Sequence, residues 1–176
     1  DAYQKPTIIA VNQVDHEKAD FQSTVEMAKE SFGDAVTLMQ YPLNAGNGFN
    51  AIIDLLKMVM YKFPEEGGKP EKLPIPDSEK ERANELHNEL VEKAAENDES
   101  LMELYFEKGN LDEDELRQGL KIGMLNHDVF PVFCLSAKKN MGSGRMMGFI
   151  DNVAPSASEL YPEKTLEGKE VKCDAN

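Results

Sequence analysis

The sequence predicts an α/β fold, and the prediction rests on two strand-like runs and one periodic helix. Residues Thr7 to Val11 are apolar and rich in β-branched side chains, as a buried parallel strand would be. Residues Val129 to Leu135 form a second apolar run of this kind. Between them, apolar side chains from Lys18 to Phe32 recur every three or four positions and stop before Gly33, which indicates an amphipathic helix.

The region after this helix is predicted to form extended segments and a loop. Val36 to Leu43 and Ile52 to Phe63 are apolar or mixed segments on either side of a glycine-containing turn at residues 44–48. A hairpin or a sheet edge is expected there. Pro64 to Pro76 contains four prolines and two adjacent glycines among charged residues, which predicts an exposed loop.

Two acidic helical regions follow this loop. Asp77 is a candidate N-cap for a long helix that extends to about Lys108, with a break expected near Asn97. Asp112 followed by Glu115 matches a capping box and predicts a further helix. The strongly charged outer faces of these helices have two interpretations, a solvated surface or a docking surface for a basic partner.

One more helix is predicted after the second strand. Pro131 weakens the prediction of that strand, because proline cannot donate to a ladder. The helix is expected from about Gly144 to Val153, and after Pro155 the composition becomes polar, as in a linker. The side chains expected to be buried on this helix are Met146, Met147, Phe149 and Ile150.

The composition limits the classes of partner. The formal net charge is −14 and the pI is near 4.6, so the chain as a whole would repel phosphate backbones and anionic lipid. Direct binding to DNA is therefore not expected. No stretch approaches the ~20 apolar residues that cross a bilayer, so a soluble chain without a membrane partner is expected. A monomer is expected as well.

The chain begins with neither an initiator Met nor a secretory leader, and it is expected to be a piece of a longer protein. Cys134 lies in an apolar run and Cys173 in a charged tail, so a disulfide is not expected and a cytoplasmic location is predicted. A metal site is not expected either, because no cysteine or second histidine stands at ligand spacing from any of the three histidines, His16, His87 and His127.

Polar clusters at the ends of the two predicted strands carry the candidate chemistry. The first strand ends in Asn12-Gln13-Val14-Asp15 and the second in Ser136-Ala137-Lys138. Functional side chains are commonly delivered at such strand ends. Guanine has two adjacent donors on its Watson-Crick edge, which one carboxylate such as Asp15 can accept together. Adenine lacks this pair, and charge-assisted hydrogen bonds are worth roughly 1.5 to 3 kcal/mol each, so the contact would be selective.

The neighbouring groups suit the same base. Asn12 can bind the base and also brace its loop, the backbone N–H of Ala137 can donate to the guanine carbonyl, and Ser136 can tie the two loops together. An ordinary helix N-cap at Asn12 and Asp15 is the alternative interpretation on local residues alone.

The first cluster resembles the Asn-Lys-x-Asp guanine motif of GTPases, and the second resembles the Ser-Ala-Lys or Ser-Ala-Leu motif that follows it. Similarity to elongation factor G, a translational GTPase, extends from about Tyr3 to Ser158. The stretches that most resemble this family are Asn44 to Leu56, Ala83 to Leu104, Leu111 to Leu125 and Cys134 to Gly142.

The resemblance implies part of a P-loop-type GTPase domain with two neighbouring parallel strands and covering helices. An inserted α/β subdomain with antiparallel strands and acidic helices would interrupt it. On this reading residues 1–34 and 128–155 belong to the GTPase domain, residues 35–127 are the insertion, and residues 156–176 lead toward a further domain.

The resemblance also implies a function. The parent would bind GTP or GDP with Mg²⁺ and promote ribosomal translocation during protein synthesis, and the acidic insertion could contact the ribosomal stalk protein. The predicted nucleotide-binding residues are Asn12, Gln13, Asp15, Ser136, Ala137 and Lys138, and no catalytic or metal-binding residue is assigned. The alternative is a non-catalytic ribosome-interaction module with a vestigial nucleotide site.

Two departures from the family pattern qualify this function. The sequence contains neither a Gly-x-x-x-x-Gly-Lys-Ser/Thr phosphate loop nor an Asp-x-x-Gly element, so the chain alone is predicted not to hydrolyse GTP. Gln13 stands where the family has a lysine whose stem packs on the base, and glutamine has a shorter stem and no charge. Weaker nucleotide affinity is therefore expected, with the guanine preference kept by Asp15.

Overall fold

The computed structural model describes residues 5–65, 68–160, 162–165 and 167–171. Within these ranges the chain is a mixed α/β protein with a three-stranded parallel sheet, a four-stranded antiparallel sheet, a two-stranded ribbon and five α-helices. The predicted fold class is confirmed. The strands are β1 Ile9–Val11, β2 Val36–Leu38, β3 Gln40–Pro42, β4 Ala51–Asp54, β5 Val59–Lys62, β6 Glu71–Leu73, β7 Phe130–Cys134, β8 Glu163–Lys164 and β9 Glu170–Val171. The helices are α1 Phe21–Phe32, α2 Lys80–Ala95, α3 Glu99–Lys108, α4 Glu113–Asn126 and α5 Ser143–Asn152.

The parallel sheet has the order β1-β7-β2. Both predicted strands are present and adjacent, with Ile9 opposite Val132. The sheet contains a third strand, because β2 pairs with the other side of β7. Pro131 is tolerated in the central strand because successive N–H groups of a strand point alternately to its two neighbours. The N–H of Leu135 donates to β1, so the nitrogen of Pro131, four positions earlier, also faces β1. The pairing with β1 begins only at Val132, opposite Ile9, so the missing N–H of Pro131 lies outside it.

The two larger sheets are joined at one residue. Met39 donates its N–H to Val132 O at 3.1 Å and accepts a hydrogen bond from Leu55 N at 3.0 Å. Beside it, the buried side chain of Gln40 donates to Cys134 O at 2.7 Å. Because these polar groups at the junction are satisfied, the chain can pass from one sheet to the other inside the core.

Helix α1 begins three residues later than the start of the predicted pattern. Asp20 is its N-cap and accepts the N–H of Ser23 at 2.9 Å, so the helix starts at Phe21. Phe21 and Val25 are buried, and Gly33 ends the helix with a positive φ of 68°.

The antiparallel sheet has the order β3-β4-β5-β6 and contains the predicted hairpin, in which Tyr41 lies opposite Ile53. The prediction of a loop from Pro64 to Pro76 is wrong at Glu71–Leu73, which form the edge strand β6. The prolines that predicted a loop flank this strand and do not interrupt it, which is where an edge strand accepts them.

The acidic helical region is divided at the expected place. Helix α2 ends at Ala95, and Asp98 caps α3 by accepting the N–H groups of Ser100 and Leu101. The predicted N-cap at Asp77 is wrong. Asp77 opens a 3-10 turn over residues 77–79, and its carboxylate pairs with the Lys80 ammonium at 2.6 Å instead of with a backbone N–H.

The capping box that opens α4 is confirmed: Asp112 accepts the N–H of Glu115 at 2.9 Å, and Glu115 accepts the N–H of Asp112 at 2.8 Å. The acidic motif therefore closes a helix end. Helix α4 packs against α2, with Gly119 directly against the backbone of Ala94.

The prediction of four buried side chains on α5 is wrong at two positions. Phe149 is buried against Phe133, with ring centroids 5.1 Å apart, but Met147 is 58% exposed and Ile150 is 40% exposed. At about 100° per residue, Met147 points about 200° away from Phe149, so both cannot face the sheet. Met146 is partly buried against the core, as expected.

Cys134 is a free, fully buried thiol, and burial raises its pKa, whereas Cys173 lies outside the described residues.

After Pro155 the described residues form a 3-10 turn at 157–159 and the ribbon β8–β9. Within the part of the chain that the structure describes, no helix combines the length and the apolar character needed to cross a bilayer.

Candidate nucleotide-binding site

Two polar loops meet at one edge of the parallel sheet. Strands β1 and β7 run in the same direction, and Val11 lies opposite Cys134 at their carboxyl ends. The pairing continues past both strands, because Leu135 N donates to Val11 O at 2.9 Å and Val14 N donates to Leu135 O at 3.3 Å. The loops that follow these strands therefore begin side by side.

The side chain of Asn12 links the two loops directly. Its Oδ1 accepts the backbone N–H of Ala137 at 3.0 Å, although the two residues are 125 positions apart in the sequence. Asn12 and Ala137 are both exposed, so this hydrogen bond lies at the surface of the site. The structure thus brings together two of the residues that the sequence predicted as base-reading groups.

Ser136 is the second link and is fully buried. Its hydroxyl accepts the N–H of Lys139 at 3.3 Å, and it interacts with the Asp15 carboxylate strongly enough to lower the pKa of that group. The backbone of Ser136 exchanges two hydrogen bonds with Met141, at 2.9 and 3.0 Å, which closes the second loop into a tight turn. The serine is therefore held by its own loop while it holds the carboxylate of the other.

Asp15 is ionised at neutral pH. The hydrogen bond from Ser136 is the main cause that lowers its pKa below the usual value, and the Lys139 ammonium, 3.6 Å from Oδ2, lowers it further. Partial burial opposes both effects, because it raises the pKa. With 14% of its side chain exposed, Asp15 presents a charged acceptor at a shielded but accessible position.

Gln13 and Lys138 are the remaining predicted residues, and both are exposed. Gln13 has a φ of 63° and its carbonyl accepts the N–H of His16 at 2.9 Å, so it is the first residue of the turn formed by residues 13–16. Glutamine is an uncommon residue in this left-handed conformation. Asn12 and Gln13 also line a shallow cavity of about 230 Å³ between the loop and the start of α1.

Two contributors to the site were missed at the level of sequence. Lys139 pairs with Asp15, and the only local signal was that it directly follows Lys138 at the strand end. Gly46 donates its N–H to Val14 O at 2.8 Å and so braces the first loop from the 44–48 turn. Its φ of 91° explains why a glycine stands there.

The arrangement can bind a ligand that offers two adjacent donors to Asp15 and one acceptor to the N–H of Ala137. In the described residues, no group of three or more His, Cys, Asp and Glu side chains is placed to hold a metal ion. The groups that the two loops present are hydrogen-bonding groups of side chains and backbone.

No protein-family model matches this sequence. Among solved structures, the chain is similar to a protein of Thermus thermophilus known from its crystal structure, with a TM-score of 0.77 and 22% sequence identity. The similarity covers 88% of this chain and 23% of the Thermus chain, so this chain spans about a quarter of that protein's length. At this level of identity, the comparison shows that the two proteins share this α/β fold.

Proposed function

We propose that this chain is the guanine-recognising part of a GTP-binding translation elongation factor similar to elongation factor G. The observation that supports this function most directly is that Asp15 and Ala137 lie in one site, joined through Ser136 and Asn12. Both sequence motifs that resemble guanine motifs therefore stand where a single purine could reach them.

The chemistry of the site suits guanine better than adenine. The Asp15 carboxylate would accept the ring N1–H and the exocyclic amine together, and the Ala137 N–H would donate to the carbonyl at the next ring position. Adenine has no such pair of donors and would leave the carboxylate unpaired. Sites that hydrogen-bond a polar edge in this way discriminate against ligands lacking that edge by about 10⁴-fold or more.

The groups that would read the base have partners within the protein. Lys139 pairs with Asp15, and Asn12 accepts the N–H of Ala137. A bound base would have to replace both of these contacts. The free energy lost with them would lower the net affinity for the base. Gln13, in place of a lysine stem, would reduce the affinity further.

On this proposal the whole protein would bind GTP or GDP with Mg²⁺ and couple GTP hydrolysis to movement on the ribosome. The phosphate loop and the magnesium ligands would come from another part of the polypeptide, because this sequence contains neither motif. The acidic surface of α2 to α4 would be the face presented to the ribosomal stalk.

The test measures which nucleotide the whole encoded protein prefers, before and after a substitution that should change the preferred base. Asp15→Asn replaces one carboxylate oxygen, an acceptor, by an amide N–H donor. This donor suits xanthine, which has a carbonyl where guanine has its exocyclic amine. The wild type should bind GTP in preference to ATP and XTP, and Asp15→Asn should prefer XTP to GTP. Glu17→Gln is the matched control, because it removes one negative charge from the same loop at an exposed position. This control should leave the GTP preference intact.

A second function is favoured by the internal contacts themselves. In a vestigial nucleotide site, groups such as Asp15 and Ala137 would have partners within the protein, as they do here, and Gln13 could stand in place of the family's lysine. The chain would then belong to a non-catalytic module that binds the ribosome through its acidic helices. A protein that binds ribosomes but takes up no guanine nucleotide would establish this second function and exclude the first.

A further inference from the structure

A cavity of about 390 Å³ lies between the antiparallel sheet and the start of α5, and Asn140 of the second polar loop also lines it. Tyr61 and Phe63 form its apolar floor together with Pro70, and Gly144 lies at the helix side. Cavities of roughly 300 to 1,000 Å³ are the usual size for small-molecule sites. Its volume is therefore sufficient for a compact organic ligand.

Among the described residues, the charged side chains that line this cavity are all positive. Its charged lining residues are Lys69, Lys72 and Arg145. Three other cavities in the described parts of the chain each include at least one carboxylate, as expected for a protein with a net charge of −14. Of these four cavities, this is the one whose described lining residues include cations and no carboxylate, and this charge favours an anion.

Two of the three cations are available to a ligand. Arg145 is already paired with the buried carboxylate of Asp54 at 2.9 Å. Lys69 and Lys72 are exposed, and among the described residues neither has an ion-pair partner. The surplus charge of the cavity therefore comes from the two lysines.

The walls of the cavity are fixed by the sheet and by Arg145. Tyr61 lies opposite Lys72 in the β5–β6 pair, so the two side chains share one face of the sheet. The guanidinium of Arg145 lies 4.3 Å from the centroid of the Tyr61 ring, over one of its two faces. Since Asp54 holds the guanidinium in place, the aromatic floor keeps its position without a ligand.

The polar groups at the helix side are donors. Ser143 donates its hydroxyl to Asn140 Oδ1 at 2.6 Å, so the group that Asn140 can offer to a ligand is its amide N–H donor. Gly144 lies in the first turn of α5, where backbone N–H groups have no preceding carbonyl of the helix to bond. A Cβ at Gly144 would meet no atom within 4 Å, so the space beside it is open.

We infer that this cavity binds a small organic anion: a carboxylate, sulfonate or phosphate carried on a flat apolar body. The anionic head lies between Lys69 and Lys72, within reach of the donors of α5. The apolar body rests on Tyr61 and Phe63. This inference does not depend on the proposed guanine site, which uses other residues.

The test titrates the 176-residue chain with 1-anilinonaphthalene-8-sulfonate and follows the backbone amide signals by NMR. The signals of Lys69, Lys72 and Gly144 should shift with one dissociation constant. Inorganic phosphate, which lacks the body, and 1-anilinonaphthalene, which lacks the charge, should each bind at least about tenfold more weakly. Phosphate binding as tightly as the dye would overturn the inference, because a simple ion site would explain it.

Two variants separate binding from folding. Lys69→Glu with Lys72→Glu should weaken binding at these signals by about tenfold or more, because both charge-assisted contacts become repulsive. Lys18→Glu with Lys29→Glu makes the same change in net charge at exposed lysines elsewhere and should alter the affinity by no more than about twofold at physiological salt. Equal losses in both pairs would overturn the inference.

A second variant blocks the cavity without changing its charge. Gly144→Leu places a side chain in the open space beside the floor, at a helical position that favours leucine over glycine. The protein should remain folded and lose binding of the sulfonate at Lys69 and Lys72. Undiminished binding in this folded variant, or dye signals confined to exposed apolar residues such as Phe106, would exclude the site.

Discussion

Asn12 Oδ1 accepts the N–H of Ala137 at 3.0 Å, so the two loops predicted to share one purine are hydrogen-bonded to each other without it. The bond joins loops that follow neighbouring parallel strands and are separated by the whole antiparallel sheet and several helices in the sequence. The relative position of the two loops is therefore set by the protein and does not have to be created by a ligand.

Removing this link should cost measurable stability. Asn12→Ala should lower the free energy of unfolding by about 1 kcal/mol, the net value of one such hydrogen bond. The measurement is urea denaturation. Asn47→Ala is the matched control, since Asn47 is exposed and has no hydrogen-bond partner among the described residues. Equal small losses in both variants would mean that the link contributes nothing.

The stability supplied by Asp15 should depend on pH. Its pKa in the folded protein is lowered from 3.8, first by the hydrogen bond from Ser136 and then by Lys139. A lowered pKa means that the contribution is fully present above pH 3.8 and is lost as the pH falls through the lower, folded-state value. The difference in unfolding free energy between the wild type and Asp15→Asn should therefore shrink on acidification. A difference that grew toward low pH would contradict this assignment.

Lys139 should act as a competitor for the base. Ser136 is the main cause of the low pKa of Asp15, so the carboxylate stays ionised at neutral pH without the lysine. If the proposed function is correct, Lys139→Met should tighten GDP binding by about two- to fivefold, which corresponds to the loss of one partly exposed ion pair. Calorimetric titration of the whole protein measures this change. Weaker binding would show that Lys139 assists the nucleotide.

The ion pair between Asp54 and Arg145 should be essential for attaching α5 to the antiparallel sheet. Asp54 is 5% exposed and accepts the guanidinium at 2.9 Å. Arg145→Met would leave this buried carboxylate without its cation, at a cost of about 3 kcal/mol or more. In Asp54→Asn with Arg145→Met no uncompensated charge remains, so the double variant should be more stable than Arg145→Met alone. Chemical denaturation of the wild type and both variants tests this order.

Two glycines in helices should respond in opposite directions to the same substitution. A Cβ at Gly119 would collide with the backbone oxygen of Ala94 in the neighbouring helix, and backbone cannot move aside cheaply. Gly119→Ala should therefore destabilise the protein by about 1 to 3 kcal/mol. Gly148→Ala meets nothing within 4 Å and should stabilise it by up to about 1 kcal/mol. Thermal unfolding compares the two variants, and two changes of the same sign would contradict the packing described.

The amino-acid sequence by itself determined the features that depend on residues close together in the chain. The capping box of Asp112 and Glu115, the glycine stop of α1, and the break before α3 all involve groups within a few positions of each other. Such contacts have the same geometry in any protein, so their residue patterns are informative. The two apolar strands and their polar ends were predictable for the same reason.

Tertiary structure alone decided which distant segments meet. Residues 36–38 joined the parallel sheet, Glu71–Leu73 became an edge strand between two prolines, and Met147 was turned away from the core by the position of Phe149. The contact of Asp15 with Lys139 also belongs to this group. Each outcome depends on which faces pack together across the molecule, and a local pattern of apolar and polar residues does not contain that information.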